Sequence, residues 1–304
     1  MKLRVSVAGI LFPQARKSLA AMEETLRFLQ GKADMLEFYR ESGEDAAVGE
    51  LLKETGLASI FVAVIPLKEK GLNLCGPDAE NRKAAVLEME DAVKRARNLG
   101  CEAVMLCSGK KPQGGHWASM ACLDAFTRSL REIAAFVQET GPVMPLLLEP
   151  CDSGLDVKHL LGPTALSVEM VRRVREFYPA FSLTMDTAHV AEEGEDFLEA
   201  MDLARPYCSH VHFANCMLQN SADPLYGDKH PGFDYPGGSL PYAELARILQ
   251  GLEARYADAR LDIALEVLCR ENDPYAHFLA IREQLPRLFE QREKSKAPSY
   301  AGGR

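Results

Sequence analysis

Four ionisable side chains stand at or near the ends of short apolar runs. Glu149 closes PLLLEP (Pro145 to Pro150), Asp186 sits in LTMDTAH (Leu183 to His189), His212 in HVHF (His210 to Phe213) and Glu266 in IALEV (Ile263 to Val267). Two Glu, one Asp and one His make an oxygen-rich donor set with a single imidazole, which suits one divalent ion: Mn first, with Mg, Co or Zn also matched. A carboxylate that follows three leucines costs several kcal/mol if it is buried unpaired, so Glu149 needs a cation, a hydrogen-bond network or a catalytic role. Each residue alone has a plainer reading: a rim ion pair for Glu149, capping for the Asp and His of DTAH, a hydrogen-bonded core position for His210. Their joint occurrence is the specific signal.

The elements that must position them alternate regularly. Strand-like runs cover Leu3 to Gly9, Asp34 to Arg40, Leu57 to Pro66, Ala103 to Gly109, Pro145 to Pro150, Phe181 to Asp186, Cys208 to Ala214 and Leu261 to Leu268. Between and after them, apolar residues recur every three or four positions. These helical stretches cover Ser18 to Lys32, Glu44 to Thr55, Ala79 to Leu99, Trp117 to Thr140, a stretch from near Pro163, Asp196 to Leu203, Tyr242 to Tyr256 and Pro274 to Gln291, with stops at Gly56, Gly100 and Gly141. Strict alternation over eight units predicts parallel strands closed into a single (β/α)8 TIM barrel over residues 1–291, followed by a polar tail, 292–304. No GxGxxG follows the first strand, which argues against a dinucleotide-binding sheet. In such a barrel the four residues gather at the mouth, where the strands end.

Composition narrows the partners. A net charge of -9 and a pI near 5.4 repel phosphate backbones, so nucleic acid is not expected and a small carbohydrate-like substrate fits better. The eight cysteines lack CxxC spacing, and Cys101, Cys107, Cys208, Cys216 and Cys269 fall in or beside strands as small hydrophobes. No apolar run reaches the length of a membrane span, so a cytoplasmic location without membrane association is expected. A homo-oligomer or a partner subunit is compatible with the sequence.

Further residues could line the mouth. Glu37 and Arg40 end the second strand, and Glu37 is placed to meet a substrate hydroxyl or to form an interior ion pair. Lys68 follows the third. The SGKKPQGGHW segment after the fourth carries Lys110, Lys111 and His116, a composition suited to a substrate-covering loop. The long loop Asn215 to Ser239 brings Asp228, Lys229 and His230, and loops of that length are usually functional or disordered.

The segments LLLEP with LLGPT downstream, MDTAH, HVHFAN, HPGFDY and ALEV together resemble the xylose isomerase-like TIM barrels, the sugar phosphate isomerase/epimerase group, from Leu3 to about Phe289. The resemblance implies that Glu149, Asp186, His212 and Glu266 bind the metal, that His189 touches substrate, and that Glu149 and Glu266 exchange a proton with a substrate carbon through a metal-stabilised enediolate. It also departs from the ketose 3-epimerases of that group. Their Glu six residues after the first metal Glu is here Leu155, their Arg six after the metal His is Leu218, and the acidic residue three after that His is Asn215. Lyases on the same scaffold, dehydratases or the α subunit of C-glycoside deglycosidases, are therefore the alternative to an isomerase or epimerase. An endonuclease IV-like nuclease would need more histidines and a basic face, and a non-catalytic subunit would not need four intact ligands.

Overall fold

The computed structural model describes residues 1–41, 43–113, 116–269 and 273–296, with only the backbone of 116–118. Eight parallel strands close on themselves: β1 (Lys2–Ala8), β2 (Met35–Phe38), β3 (Ala58–Val62), β4 (Ala103–Leu106), β5 (Leu146–Leu148), β6 (Phe181–Asp186), β7 (Cys208–Ala214) and β8 (Arg260–Glu266), with β8 paired to β1. The helices around them are α1 (Leu19–Leu29), α2 (Asp45–Thr55), α3 (Val64–Glu69), α4 (Ala79–Leu99), α5 (His116–Thr140), α6 (Thr164–Arg175), α7 (Thr187–Glu192), α8 (Phe197–Ala204), α9 (Tyr242–Arg255), α10 (Pro274–Gln284) and α11 (Pro286–Lys296). The expected stops hold where glycine takes a left-handed conformation, at Gly56 (φ 68°) after α2 and Gly100 (φ 75°) after α4. Asp78 caps α4 at its other end by accepting from the amides of Glu80 and Asn81. Among the described residues no helix is long and apolar enough to cross a membrane.

Strand alternation divides the barrel interior in two. Leu36, Phe61, Val104, Leu146 and Leu148 belong to the main core shared with the helices, whereas Met35, Ile60, Ala103, Met105 and Leu147 form a separate buried cluster inside β2 to β5. On the remaining strands the buried polar residues keep one parity: Ser6 on β1, Thr184 and Asp186 on β6, His210 and His212 on β7, Asp262 on β8. Half of the barrel is thus apolar filling, apart from Glu37 on β2, and the other half a polar column. The site grows from the top of that column.

Three expectations about elements are corrected. The run Leu57 to Pro66 is not one strand: β3 ends at Val62, and Val64 to Glu69 coil into α3, an ambiguity that a short apolar run does not resolve by periodicity. The helix drawn from Pro274 to Gln291 breaks at Leu285 (φ -118°, ψ 54°), because Pro286 lacks an amide hydrogen and excludes helical geometry from the residue before it. Its second half, α11, runs past the boundary expected at residue 291. Arg292 is buried there, donating to the Asp34 carboxylate and to the carbonyls of Gly31 and Ala33, and the Ser295 hydroxyl accepts from the Leu3 amide. Residues 297–304 of the expected tail lie outside the described residues.

Candidate active site

Register assembles the centre before any side chain is considered. Asp186 on β6 lies directly opposite His212 on β7, and Ala214, two residues further on, lies opposite Glu266 on β8. Glu149 follows β5 at once, its amide donating to the Leu106 carbonyl at 2.9 Å. All four side chains therefore point into one space at the mouth. Nδ1 of His212 is 2.7 Å from Glu149 Oε1, 2.5 Å from Glu266 Oε2 and 3.7 Å from Asp186 Oδ2. One donor atom from each of the four lies within 4.8 Å of the others.

The hydrogen-bond inventory of these atoms is unusual. His212 Nδ1, Glu149 Oε1, Asp186 Oδ2 and Glu266 Oε2 are all buried, and among the described residues none has a hydrogen-bond partner of proper geometry, despite the short separations. Atoms that crowd together without bonding to one another are aimed at a common point. Three buried carboxylate oxygens around one imidazole nitrogen carry a desolvation cost that a single shared proton does not offset, and a dication does. The donor set and the orphaned atoms fit one divalent ion.

Two of the four, Asp186 and His212, are held from behind. Asp186 splits its carboxylate: Oδ1 caps α7 by accepting from the amides of Ala188 (2.6 Å) and His189 (3.0 Å), leaving Oδ2 for the centre. The Nε2 edge of His212 lies 2.9 Å from Glu37 Oε2. Glu37 Oε1 takes His210 Nε2 at 2.9 Å and the Ser6 hydroxyl at 2.5 Å. Burial alone would push the Glu37 carboxyl up, but His210 and His212 hold it well below the usual carboxylate range. A carboxylate only accepts, so it fixes the Nε2–H tautomer of His212 and leaves the Nδ1 lone pair facing the centre. Of the two roles expected for Glu37, a substrate hydroxyl or an interior pairing, its oxygens make the second, with His210 and His212, and the residue also borders the cavity beside the centre. His210 is the hydrogen-bonded core histidine that the sequence suggested.

His189 and His230 flank the centre. His189 Nδ1 lies 3.0 Å from Glu192 Oε2, His230 Nε2 lies 2.8 Å from Asp228 Oδ1, and the two rings are 5.5 Å apart. His230 Nδ1 is 3.9 Å from Glu266 Oε2. Burial would lower the His230 pKa, yet Asp228 and Glu266 raise it to about 9. Sequence reasoning did not find Glu192, whose signal was its i+3 spacing from His189 on α7, nor Asp228 as a partner, whose signal was DKH itself. Lys110 and Lys111 are exposed. The side chain of His116 lies outside the described residues.

A cavity of about 820 Å³ opens beside the centre, walled by Phe12, Phe38, Tyr39, Val64 and Ile65, with Arg16 and Arg40 on its lining. Glu149, His212 and Glu266 reach this cavity, and Asp186 does not. Side-chain exposure follows the same order: 16% for Glu266, 9% for Glu149 and none for Asp186. The walls thus come from the first three βα units. The loop 215–239 contributes its Asp228 and His230 to the flank of the centre, and it is braced by Asn215, which donates to the Gly232 carbonyl and accepts from the Leu240 amide.

A profile of the xylose isomerase-like TIM barrel family matches residues 22–259. A search of curated proteins returns no significant match. Among solved structures, a D-tagatose 3-epimerase-like protein superposes with a TM-score of 0.71 at 18% identity, covering 97% of this chain and all of its own. A protein described as the probable 3-DHS dehydratase of Bacillus anthracis gives 0.64 at 15% identity, covering 92% of this chain and 97% of the other. The IOLI protein, solved with a bound zinc atom, gives 0.63 at 12% identity and 96% of both chains. At these identities the likeness is one of fold.

Proposed function

Since this chain belongs to the xylose isomerase-like TIM barrel family, we propose that it is a divalent-metal-dependent isomerase or epimerase acting on a sugar or sugar-like polyol by proton transfer beside a carbonyl. The observation that carries this reading is the set of four orphaned, converging donor atoms at the edge of a cavity large enough for a small carbohydrate. Glu149, Asp186, His212 and Glu266 would hold the ion, with Mn preferred for so oxygen-rich a set. When bound, such an ion supplies Lewis-acid polarisation of a carbonyl oxygen and its neighbouring hydroxyl.

The chain's own groups divide the remaining work by position. Asp186, shut off from the cavity, serves only as a ligand, while Glu149 and Glu266 present carboxylates to the cavity and act as acid and base on the substrate carbon. His189 and His230, which flank the centre, orient substrate oxygens. A lyase starting with the same proton removal is the second reading, and it is favoured by Leu155 and Leu218 at positions where ketose 3-epimerases carry Glu and Arg. The protein is expected in the cytoplasm, with its substrate as its principal partner.

Incubating the metal-loaded protein in deuterated water with ketoses, aldoses and cyclic polyol ketones, and following the carbon next to the carbonyl by NMR, tests the reading. Deuterium entry with reversible conversion supports an isomerase or epimerase, and entry followed by loss of a leaving group supports the lyase. No exchange with any compound of this kind counts against both.

A further inference from the structure

Beside Glu149, and against His189, lies a pair of thiols. Cys107 follows the end of β4, Cys151 follows Glu149 beyond β5, both are buried, and their sulfurs are 3.3 Å apart. A ring nitrogen of His159 completes a triangle in which all three donor atoms lie within 4.8 Å of one another. His159 Nδ1 is buried and, among the described residues, has no hydrogen-bond partner. Burial lowers this imidazole to about 4, so it is neutral with a lone pair to give.

The three residues are brought together by the loops that follow β4 and β5, which pair with each other. Lys110 and His159 form an antiparallel bridge, the Lys111 amide donates to Lys158 O at 2.9 Å, and the Leu160 amide to Gly109 O at 2.9 Å. Beneath the bridge the Cys151 amide donates to Leu161 O, and the Leu161 amide to the Ser108 hydroxyl.

We propose that Cys107, Cys151 and His159 form a second cation site, of thiolate–imidazole type, for a zinc-class ion, distinct from the carboxylate centre. The sulfur separation favours this over a disulfide. Closing a disulfide bond brings the sulfurs to ~2.05 Å, an approach of about 1.2 Å. Two thiolates at ~2.3 Å from a tetrahedral ion stand ~3.8 Å apart, only about 0.5 Å wider than observed. Each thiol gives up its proton to solvent as its bond to the ion forms, and no oxidant or reductant is needed. A set of two sulfurs and one imidazole selects zinc-class ions, whereas the neighbouring oxygen-rich set selects Mn or Mg, so the chain sorts two ions by softness. The occupied site ties the loops after β4 and β5 together beside Glu149, whose Oε2 is 3.9 Å from Cys107 Sγ.

The test is a Co(II) titration of the reduced full-length protein already saturated with Mn(II), followed by near-ultraviolet absorption. The proposal expects one equivalent of Co(II) to raise an intense sulfur-to-cobalt charge-transfer band that Zn(II) abolishes. The band persists in Asp186→Asn and disappears in Cys107→Ser, with circular dichroism verifying that both variants are folded. It is overturned if wild-type protein, with both thiols shown to be reduced by reagent titration after unfolding, binds Co(II) without the band. A band that survives the Cys107→Ser, Cys151→Ser double variant overturns it as well.

Discussion

Replacing Glu37 by Gln tests how the ligand set is held in place without touching a ligand. Glu37, itself buried, accepts three hydrogen bonds, from Ser6, His210 and His212. Gln offers one acceptor oxygen and one donor NH₂ group of the same size. If its oxygen keeps Ser6 and His210, its NH₂ meets the Nε2–H of His212, and that imidazole must move its proton to Nδ1, the atom aimed at the centre. If its oxygen turns to His212, His210 must change tautomer, and His212 loses only the charge behind it. The first outcome blocks a ligand and the second weakens it. Partners of this kind are worth about 10- to 100-fold in metal affinity, or ~1.4 to 2.7 kcal/mol. Folding stability falls too, because a charge-assisted hydrogen bond contributes ~1.5 to 3 kcal/mol. The assay is calorimetric titration of Mn(II) into wild type and Glu37→Gln at a temperature where both are folded. Affinity within a factor of two of wild type, with only the melting temperature lowered, would refute the reasoning and leave Glu37 as structural filling.

Three further outcomes follow from the same geometry. Glu149→Gln and Glu266→Gln each keep an oxygen ligand and nearly the same volume, so each should lower turnover by ~10² to 10⁴ with a smaller loss of metal, as measured by kinetics beside metal analysis. Asn215→Ala removes two of the hydrogen bonds that brace the 215–239 loop and should cost about 1 to 3 kcal/mol in urea unfolding while lowering kcat through displaced Asp228 and His230; unchanged kcat would make the loop a bystander. Arg292→Ala leaves Asp34 with Lys296 and the Val5 amide but removes the buried guanidinium from it and from two carbonyls, and should cost ~1 to 3 kcal/mol in thermal or urea unfolding without altering metal affinity.

The sequence carried the barrel because its signals are local: apolar runs that end in charged residues, and glycines such as Gly56 and Gly100 that stop helices by conformation. The four converging residues were legible for the same reason, since a strand end fixes where a side chain must sit once the barrel closes. What could not be read is whatever depends on the far side of the ring. Glu37 and His212 are on strands distant in the chain, and only closure of β8 onto β1 puts one behind the other. The short helices α3 and α7 escaped because fewer than two turns of helix leave no periodicity, and Pro286 escaped because a proline inside an amphipathic pattern marks either a kink or a break. The thiol pair had a signal that was not used: Cys107 and Cys151 share the inward parity of Met105 and Glu149 on neighbouring strands.

The central claim, that four orphaned atoms hold one divalent ion, is tested most directly by counting bound Mn(II) through loss of the free-ion electron paramagnetic resonance signal. Mn(II) avoids thiolates, so it reports on the carboxylate centre alone. Asp186→Asn is the informative variant: its side-chain oxygen can still cap α7, while an NH₂ group replaces the oxygen that faces the centre. The account predicts one Mn(II) per chain in wild type and none at the same concentration in folded Asp186→Asn. Stoichiometric Mn(II) with unchanged affinity in that variant would contradict it.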